Sequence, residues 1–133
     1  MPHDSSPYFN PEMETLSREG LRALQGARLQ QTVSRCMQAP FYRERFAALG
    51  IDPGDIKSVD DVRKLPFTSK EDLRGHYPFG LSCVPLRDCV RLHSSSGTTG
   101  NPTVVLHTQG DLDAWAEAVA RCLWMVGARP DDV

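Results

Sequence analysis

What this sequence lacks narrows it first. Its four cysteines, Cys36, Cys83, Cys89 and Cys122, form no C-x-x-C pair, and the closest two are separated by five residues. That spacing excludes the common zinc and dithiol motifs and leaves no metal site to name. Reduced thiols that behave as small apolar side chains are the expected state, since nothing points to an oxidising compartment. Charge of one sign is also missing. Fifteen basic residues stand against seventeen acidic ones, for a formal net charge of −2 scattered along the chain, so there is no electrostatic footprint for nucleic acid. No long hydrophobic run occurs: the most apolar stretch, Leu112 to Ala128, is interrupted by Asp113, Glu117 and Arg121 and does not make a membrane span. The opening residues, Met1 to Pro7, have neither a basic region nor an apolar core, so no signal peptide is read and the cytoplasm is the expected location.

What is present is the composition of an ordered globular protein, with 40% hydrophobic and 24% charged residues. A chain of 133 residues has room for one core and buries roughly two-thirds of its unfolded surface. Pro2, Pro7 and Pro11 predict an extended arm over 1–16, lying on another surface through Tyr8 and Phe9. Ser17, with Glu19 in the first turn, predicts a helix to about Gln38, where Ala39-Pro40 ends it. A second helix is predicted over Phe41 to Leu49, stopped by Gly50, with Phe41, Tyr42, Phe46 and Leu49 as an aromatic and apolar face that belongs to the core. Arg43 and Arg45 read as solvated charges. Ser58 and Thr68 are expected to cap short helices, Thr68 through a capping box with Glu71. An irregular connector, His76 to Arg87, closes a helical region spanning 17–88. The last helix is expected to open at Thr108-Gln109-Gly110-Asp111, to bury Leu112, Trp115, Ala116, Val119, Leu123 and Val126, and to close at Gly127.

The chemistry is concentrated in one run. Ser94-Ser95-Ser96-Gly97-Thr98-Thr99-Gly100-Asn101-Pro102-Thr103 lies between Cys89–His93, which alternates in polarity, and Thr103–Thr108, which is rich in β-branched residues. This reads as strand, loop, strand. Glycines three apart let the main chain approach a ligand, and the crowded hydroxyls and N–H groups suit a polyphosphate, whose oxygens only accept hydrogen bonds. The run is not the common P-loop, because Pro102 stands where the second glycine would be, and it lacks the third glycine of a dinucleotide fingerprint. His93 and His107 flank it from the two strands, each as a structural residue or as a neighbour of bound phosphate.

Ser95-Ser96-Gly97-Thr98-Thr99-Gly100-Asn101-Pro102 fits the pattern [ST]-[ST]-G-[ST]-T-G-x-P-K up to its last position, where Thr103 replaces lysine. The run resembles the phosphate loop of adenylate-forming acyl- and aryl-CoA synthetases. The threonine narrows the resemblance to the phenylacetate-coenzyme A ligase branch, and so do Ala39–Phe46, Leu65–Arg74 and Tyr77–Leu81. It covers Tyr8 to Val133, as an N-terminal portion of such a ligase.

The resemblance implies an α/β fold: a helical N-terminal region, then a strand–phosphate loop–strand unit and a helix that begin the AMP-binding domain over 89–133, with the loop at 94–103. It implies a reaction in which ATP and an aryl carboxylic acid give an acyl-adenylate, usually with Mg2+, after which the thiol of coenzyme A takes the acyl group. Phosphate contacts fall to Ser95, Ser96, Gly97, Thr98, Thr99, Gly100 and Thr103. Catalytic residues, the catalytic lysine among them, are expected beyond Val133. The chain alone is therefore expected to be inactive, with ATP affinity of millimolar order or weaker. A coenzyme F390 synthetase-like enzyme of the same branch, and a non-catalytic structural or interaction module, are the alternatives. Because a two-stranded hairpin is marginal by itself, its strands need cover from the helices or from a second copy of the chain.

Overall fold

A computed structural model describes residues 6–96 and 101–132. It is a mixed α/β structure with five α-helices and one two-stranded sheet among the described residues. The first element is a single turn, α1 (Pro11–Glu14), capped by Asn10, so the arm is not extended throughout. Proline at the first helical position costs no hydrogen bond and fixes the backbone angle the turn requires.

Helix α2 (Arg18–Cys36) starts where the Ser17 hydroxyl accepts from the Gly20 N–H at 3.0 Å. Helix α3 (Pro40–Leu49) follows after Ala39 and ends at Gly50, whose φ of +64° is the left-handed cap that glycine takes without strain. The chain then returns through two 3-10 helices, Pro53–Asp55 and Val59–Lys64. Asp61 caps the second by accepting from the Ser58 N–H at 2.9 Å. Its carboxyl is held far below the ordinary range, first by Lys64 and then by the N–H groups of Lys57 and Ser58.

These returns place Ile56 between α2 and α3. Val33, Phe46 and Ile56 are almost entirely buried, with Leu29, Met37, Tyr42, Ile51 and Leu65 packed around them. Every fully buried hydrophobic residue among those described lies between Val33 and Ile56. Gly26 weakens α2 as an isolated helix but serves the packing: a Cβ there would stand 3.6 Å from the Ser58 and Val59 backbone. Phe41 and Phe46 belong to this core as expected, whereas Leu49 is exposed.

Two local expectations change. Helix α4 (Lys70–Gly75) is capped by Ser69 with Asp72, not by Thr68 with Glu71. Asp72 accepts from the Ser69 N–H at 2.7 Å and pairs with Arg45 at 2.9 Å, while the Thr68 hydroxyl meets the Tyr42 hydroxyl at 3.2 Å. Both registers offered a hydroxyl followed by an acid, and the ion pair to α3 selects one. Of the arginines of α3, Arg45 is part-buried on Asp72 rather than free in solvent, while Arg43 is exposed as expected and donates to the carbonyls of Met37 and Gln38 at the end of α2.

After the connector, β1 (Cys89–Ser94) and β2 (Val104–Thr108) pair antiparallel, with Leu92 opposite Leu106 and Ser94 opposite Val104. Helix α5 (Gln109–Met125) grows directly from β2. Thr108 and Asp111 form its reciprocal cap, and Gly127 closes its end at φ +98°. The expected burial of its apolar repeat does not occur: no residue of α5 is buried, and Trp115, Val119, Leu123 and Val126 are 46–76% exposed. The helix is turned instead so that Glu117 and Trp124 meet the arm. Glu117 accepts from the Asn10 amide at 2.9 Å, and Trp124 donates its ring N–H to the Ser6 carbonyl at 3.0 Å.

Candidate functional site

The loop between β1 and β2 is drawn together at its neck. Ser94 pairs with Val104 at the end of the ladder, and one step further the Ser95 N–H donates to the Thr103 carbonyl at 3.0 Å. In return the Thr103 N–H donates to Ser95 Oγ at 2.9 Å. Ser95 and Thr103, eight positions apart in sequence, are thus locked together. Ser96 and Asn101 stand exposed above them. Gly97, Thr98, Thr99 and Gly100 lie outside the described residues.

This neck sorts the chemistry of the expected contacts. The backbone N–H groups of Ser95 and Thr103 are already spent on each other, so neither is a donor for a ligand at the loop. The Ser95 oxygen accepts from Thr103 but its own O–H remains a donor, as does the Thr103 hydroxyl as a group.

Below the neck, His93 and His107 face each other across the strands with ring centroids 4.8 Å apart, and both meet Trp115 of α5, at 5.4 and 5.7 Å. The rings are packing partners of this tryptophan and tie the hairpin to the helix. His107 also lies near Asp111, whose carboxyl is lowered first by the Thr108 N–H and side chain, with His107 a lesser cause.

On the other side of the hairpin, a cleft of about 310 Å³ separates it from the helical region; Tyr42, Leu73, Phe79, Leu81, Val104 and Leu106 supply apolar walls, and Arg35 and His76 polar ones. Sequence reasoning passed over this cleft. Its walls come from four separate stretches, and no local pattern brings them together. Cys83 lines it beside Cys36; burial pushes the Cys83 thiol up to about 11 and raises that of Cys36. Both are thus protonated and unreactive at neutral pH.

Among the described residues no three histidine, cysteine or acidic side chains converge as metal ligands. Likewise no described helix is long and apolar enough to cross a membrane. Of the acids held below their ordinary range, Asp61, Asp72 and Asp111 are helix caps, and Glu117 is lowered first by Arg121.

No family model matches the chain. Curated relatives do. The chain is 51% identical over 123 residues to a phenylacetate-coenzyme A ligase of Thermus thermophilus, a match that takes in 92% of this chain and 28% of the relative. It is 48% identical over 121 residues to the enzyme of that name from Escherichia coli, with 90% and 28% covered. With that of Pseudomonas putida it shares 45% identity over 133 residues, with 99% and 30% covered. The chain therefore spans under a third of the length of these relatives. Among solved structures, a 2-hydroxyisobutyryl-CoA ligase in complex with 2-HIB-AMP and CoA superposes with a TM-score of 0.86 at 37% identity, over 99% of this chain and 29% of that one. The same ligase in its postadenylation state gives a TM-score of 0.84.

Proposed function

We propose, from the resemblance of this chain to the N-terminal portion of phenylacetate-coenzyme A ligases, that it supplies the ATP phosphate loop of an adenylate-forming aryl acid–CoA ligase. The observation that carries this is the neck at Ser95 and Thr103 beneath a Gly- and hydroxyl-rich loop. The substrate class is an aryl carboxylic acid such as phenylacetate, used with ATP and coenzyme A; the related ligase solved with an acyl-AMP and CoA supports that set.

In this reading the acid's carboxylate attacks the α-phosphorus of ATP, the bond to the bridging oxygen breaks, and pyrophosphate leaves carrying its electron pair. The thiol of coenzyme A then attacks the acyl carbon, and AMP departs. The attacking carboxylate needs little activation, whereas the departing group gathers charge. Donors fixed in advance around that charge therefore supply most of the rate. Ser95, Ser96, Thr98, Thr99 and Thr103 contribute hydroxyl donors, and Gly97 and Gly100 let the backbone approach the β- and γ-phosphates.

Thr103 brings no positive charge where the wider superfamily has lysine, so neutralisation falls to groups outside the loop. Mg2+ would arrive on the triphosphate itself, because these ions are held largely by substrate phosphates and water and no acidic cluster stands ready among the described residues. The adenine, acyl and coenzyme A contacts are assigned to the ligase length this chain does not span. Alone, the chain is inactive.

Isothermal titration of the chain with Mg·ATP, and a pyrophosphate-release assay with phenylacetate, ATP and Mg2+, test both parts. Binding of millimolar order without turnover is expected. Turnover above background would overturn the inactivity, and ATP binding unchanged by a Ser95→Ala, Thr98→Ala double substitution would overturn the loop assignment.

A further inference from the structure

We infer that Trp115 is a positioning residue for the phosphate loop: with His93 and His107 it clasps both strands to α5 directly below the neck, and so holds Ser95 and Thr103 in the geometry that aims the loop's donors. The inference rests on the ligase reading above and deepens it. In the antiparallel ladder His93 stands opposite Val105, and His107 opposite Arg91. The two histidines are therefore diagonal neighbours on one face of the hairpin, a spacing that rings can bridge. Their rings meet edge-on, at 61°. Trp115 closes the triangle, edge-on to His93 at 71° and stacked on His107 at 30°. All three separations, 4.8 to 5.7 Å, fall where aromatic pairs attract beyond their buried area.

The place of this triangle gives it its task. His93 is two residues before Ser95, and the ladder ends one step above it, at Ser94 and Val104. At the other end the pairing is irregular between Cys89 and Arg91. Two strands alone make a marginal hairpin. Strand β2 is joined to α5 through Thr108, whereas β1 reaches that helix through the ring of His93. Without the indole, β1 is left free to twist against β2, and the Ser95–Thr103 pair moves with it. Donors held in advance are what a departing pyrophosphate requires.

The reaction has two steps, and only the first needs the loop, because pyrophosphate has left before the thiol attacks. A positioning role therefore predicts a split that general loss of folding does not. The test uses a full-length chimera, with this chain in place of the matching region of the Escherichia coli relative. There Trp115→Ala is expected to lower kcat/KM for ATP in pyrophosphate release by about ten- to a hundredfold. Formation of phenylacetyl-CoA from supplied phenylacetyl-adenylate is expected to stay unchanged. Trp115→Phe and His93→Phe keep a ring in the triangle and should retain most of the first step, whereas His93→Ala should lose it as Trp115→Ala does. In the free chain, Trp115→Ala should quicken amide exchange at Ser95 and Thr103, read by NMR, and leave that of Val33 level.

Equal loss of both steps overturns the inference, as does a first step that Trp115→Ala leaves intact. A His93→Phe enzyme as slow as His93→Ala overturns it too, because the imidazole then acts through its nitrogens or charge and not through packing. If the chimera does not fold, the free chain decides, and unchanged exchange at Ser95 and Thr103 sinks the clasp. The ligase reading is scored separately, by formation of phenylacetyl-CoA in the unsubstituted chimera. A folded chimera that forms none sinks that reading, while quickened exchange at the neck of the free chain keeps the clasp.

Discussion

Helices α2 and α5 are close in length, 19 and 17 residues, and each begins at a hydroxyl cap and carries apolar side chains at helical spacing. Their stripes meet opposite fates. Val33 of α2 is 2% exposed against Phe46 and Ile56, whereas Val119 of α5 is 46% exposed. The difference lies in what the chain places opposite each. After α2 the chain turns back twice, through α3 and the 3-10 helices, and closes a core; among the described residues α5 meets the hairpin through Trp115 and the arm through Glu117 and Trp124. Periodicity tells which side chains share a face, and a second element decides whether that face is covered.

The largest effect that sharpens this contrast comes from paired truncations. Ile56→Ala is expected to cost about 2–5 kcal/mol in urea denaturation, because it empties the centre of the core that Val33 and Phe46 share with it. Leu123→Ala, on the uncovered stripe, is expected to change stability by about 0.5 kcal/mol or less. Equal losses would break the comparison.

Next in size is the arm. Trp124→Phe keeps the ring that meets Phe9 edge-on at 5.8 Å and removes the donor to the Ser6 carbonyl. A loss of about 1 kcal/mol is expected, seen as faster proteolysis of the arm with the Val33 core unchanged. Gly26→Ala should act in the other direction, because the added methyl meets the Ser58 and Val59 backbone at ordinary contact distance. A gain of about 0.5–1 kcal/mol in thermal unfolding follows from helix propensity.

The smallest effect is acid sensitivity. The Ser69 N–H holds Asp72 below its ordinary 3.8, and the Thr108 N–H does the same for Asp111. A carboxyl with a depressed folded value stabilises above its unfolded value and loses that contribution as pH falls through the folded one. The cap of α2 is the neutral Ser17 hydroxyl. As pH falls below the ordinary 3.8, amide protection, corrected for the intrinsic exchange rate, should therefore drop in the first turns of α4 and α5 and stay level in that of α2.

Much of the fold was legible because its signals are local. Ser17, Pro40, Gly50, Ser58 and Thr108 each mark a boundary through a hydrogen bond or backbone angle within a few residues. The shift from Thr68 to Ser69 was not legible, since the choice depends on Arg45, 27 positions from Asp72. The docking of the arm rests on a hydrogen bond between residues 118 apart, Ser6 and Trp124, and no pattern announces it. At the loop, the order of hydroxyls and glycines spoke of phosphate, but that Ser95 and Thr103 would spend their N–H groups on each other follows only from the register of the hairpin.

Amide hydrogen exchange on the free chain at neutral pH tests the central contrast most directly. Amides of α2 and α3 around Val33 and Phe46 should exchange only through global unfolding, and those of β1, β2 and α5 through cheaper local opening. Uniform protection across both halves would contradict the account, because the hairpin and α5 would then be complete without cover.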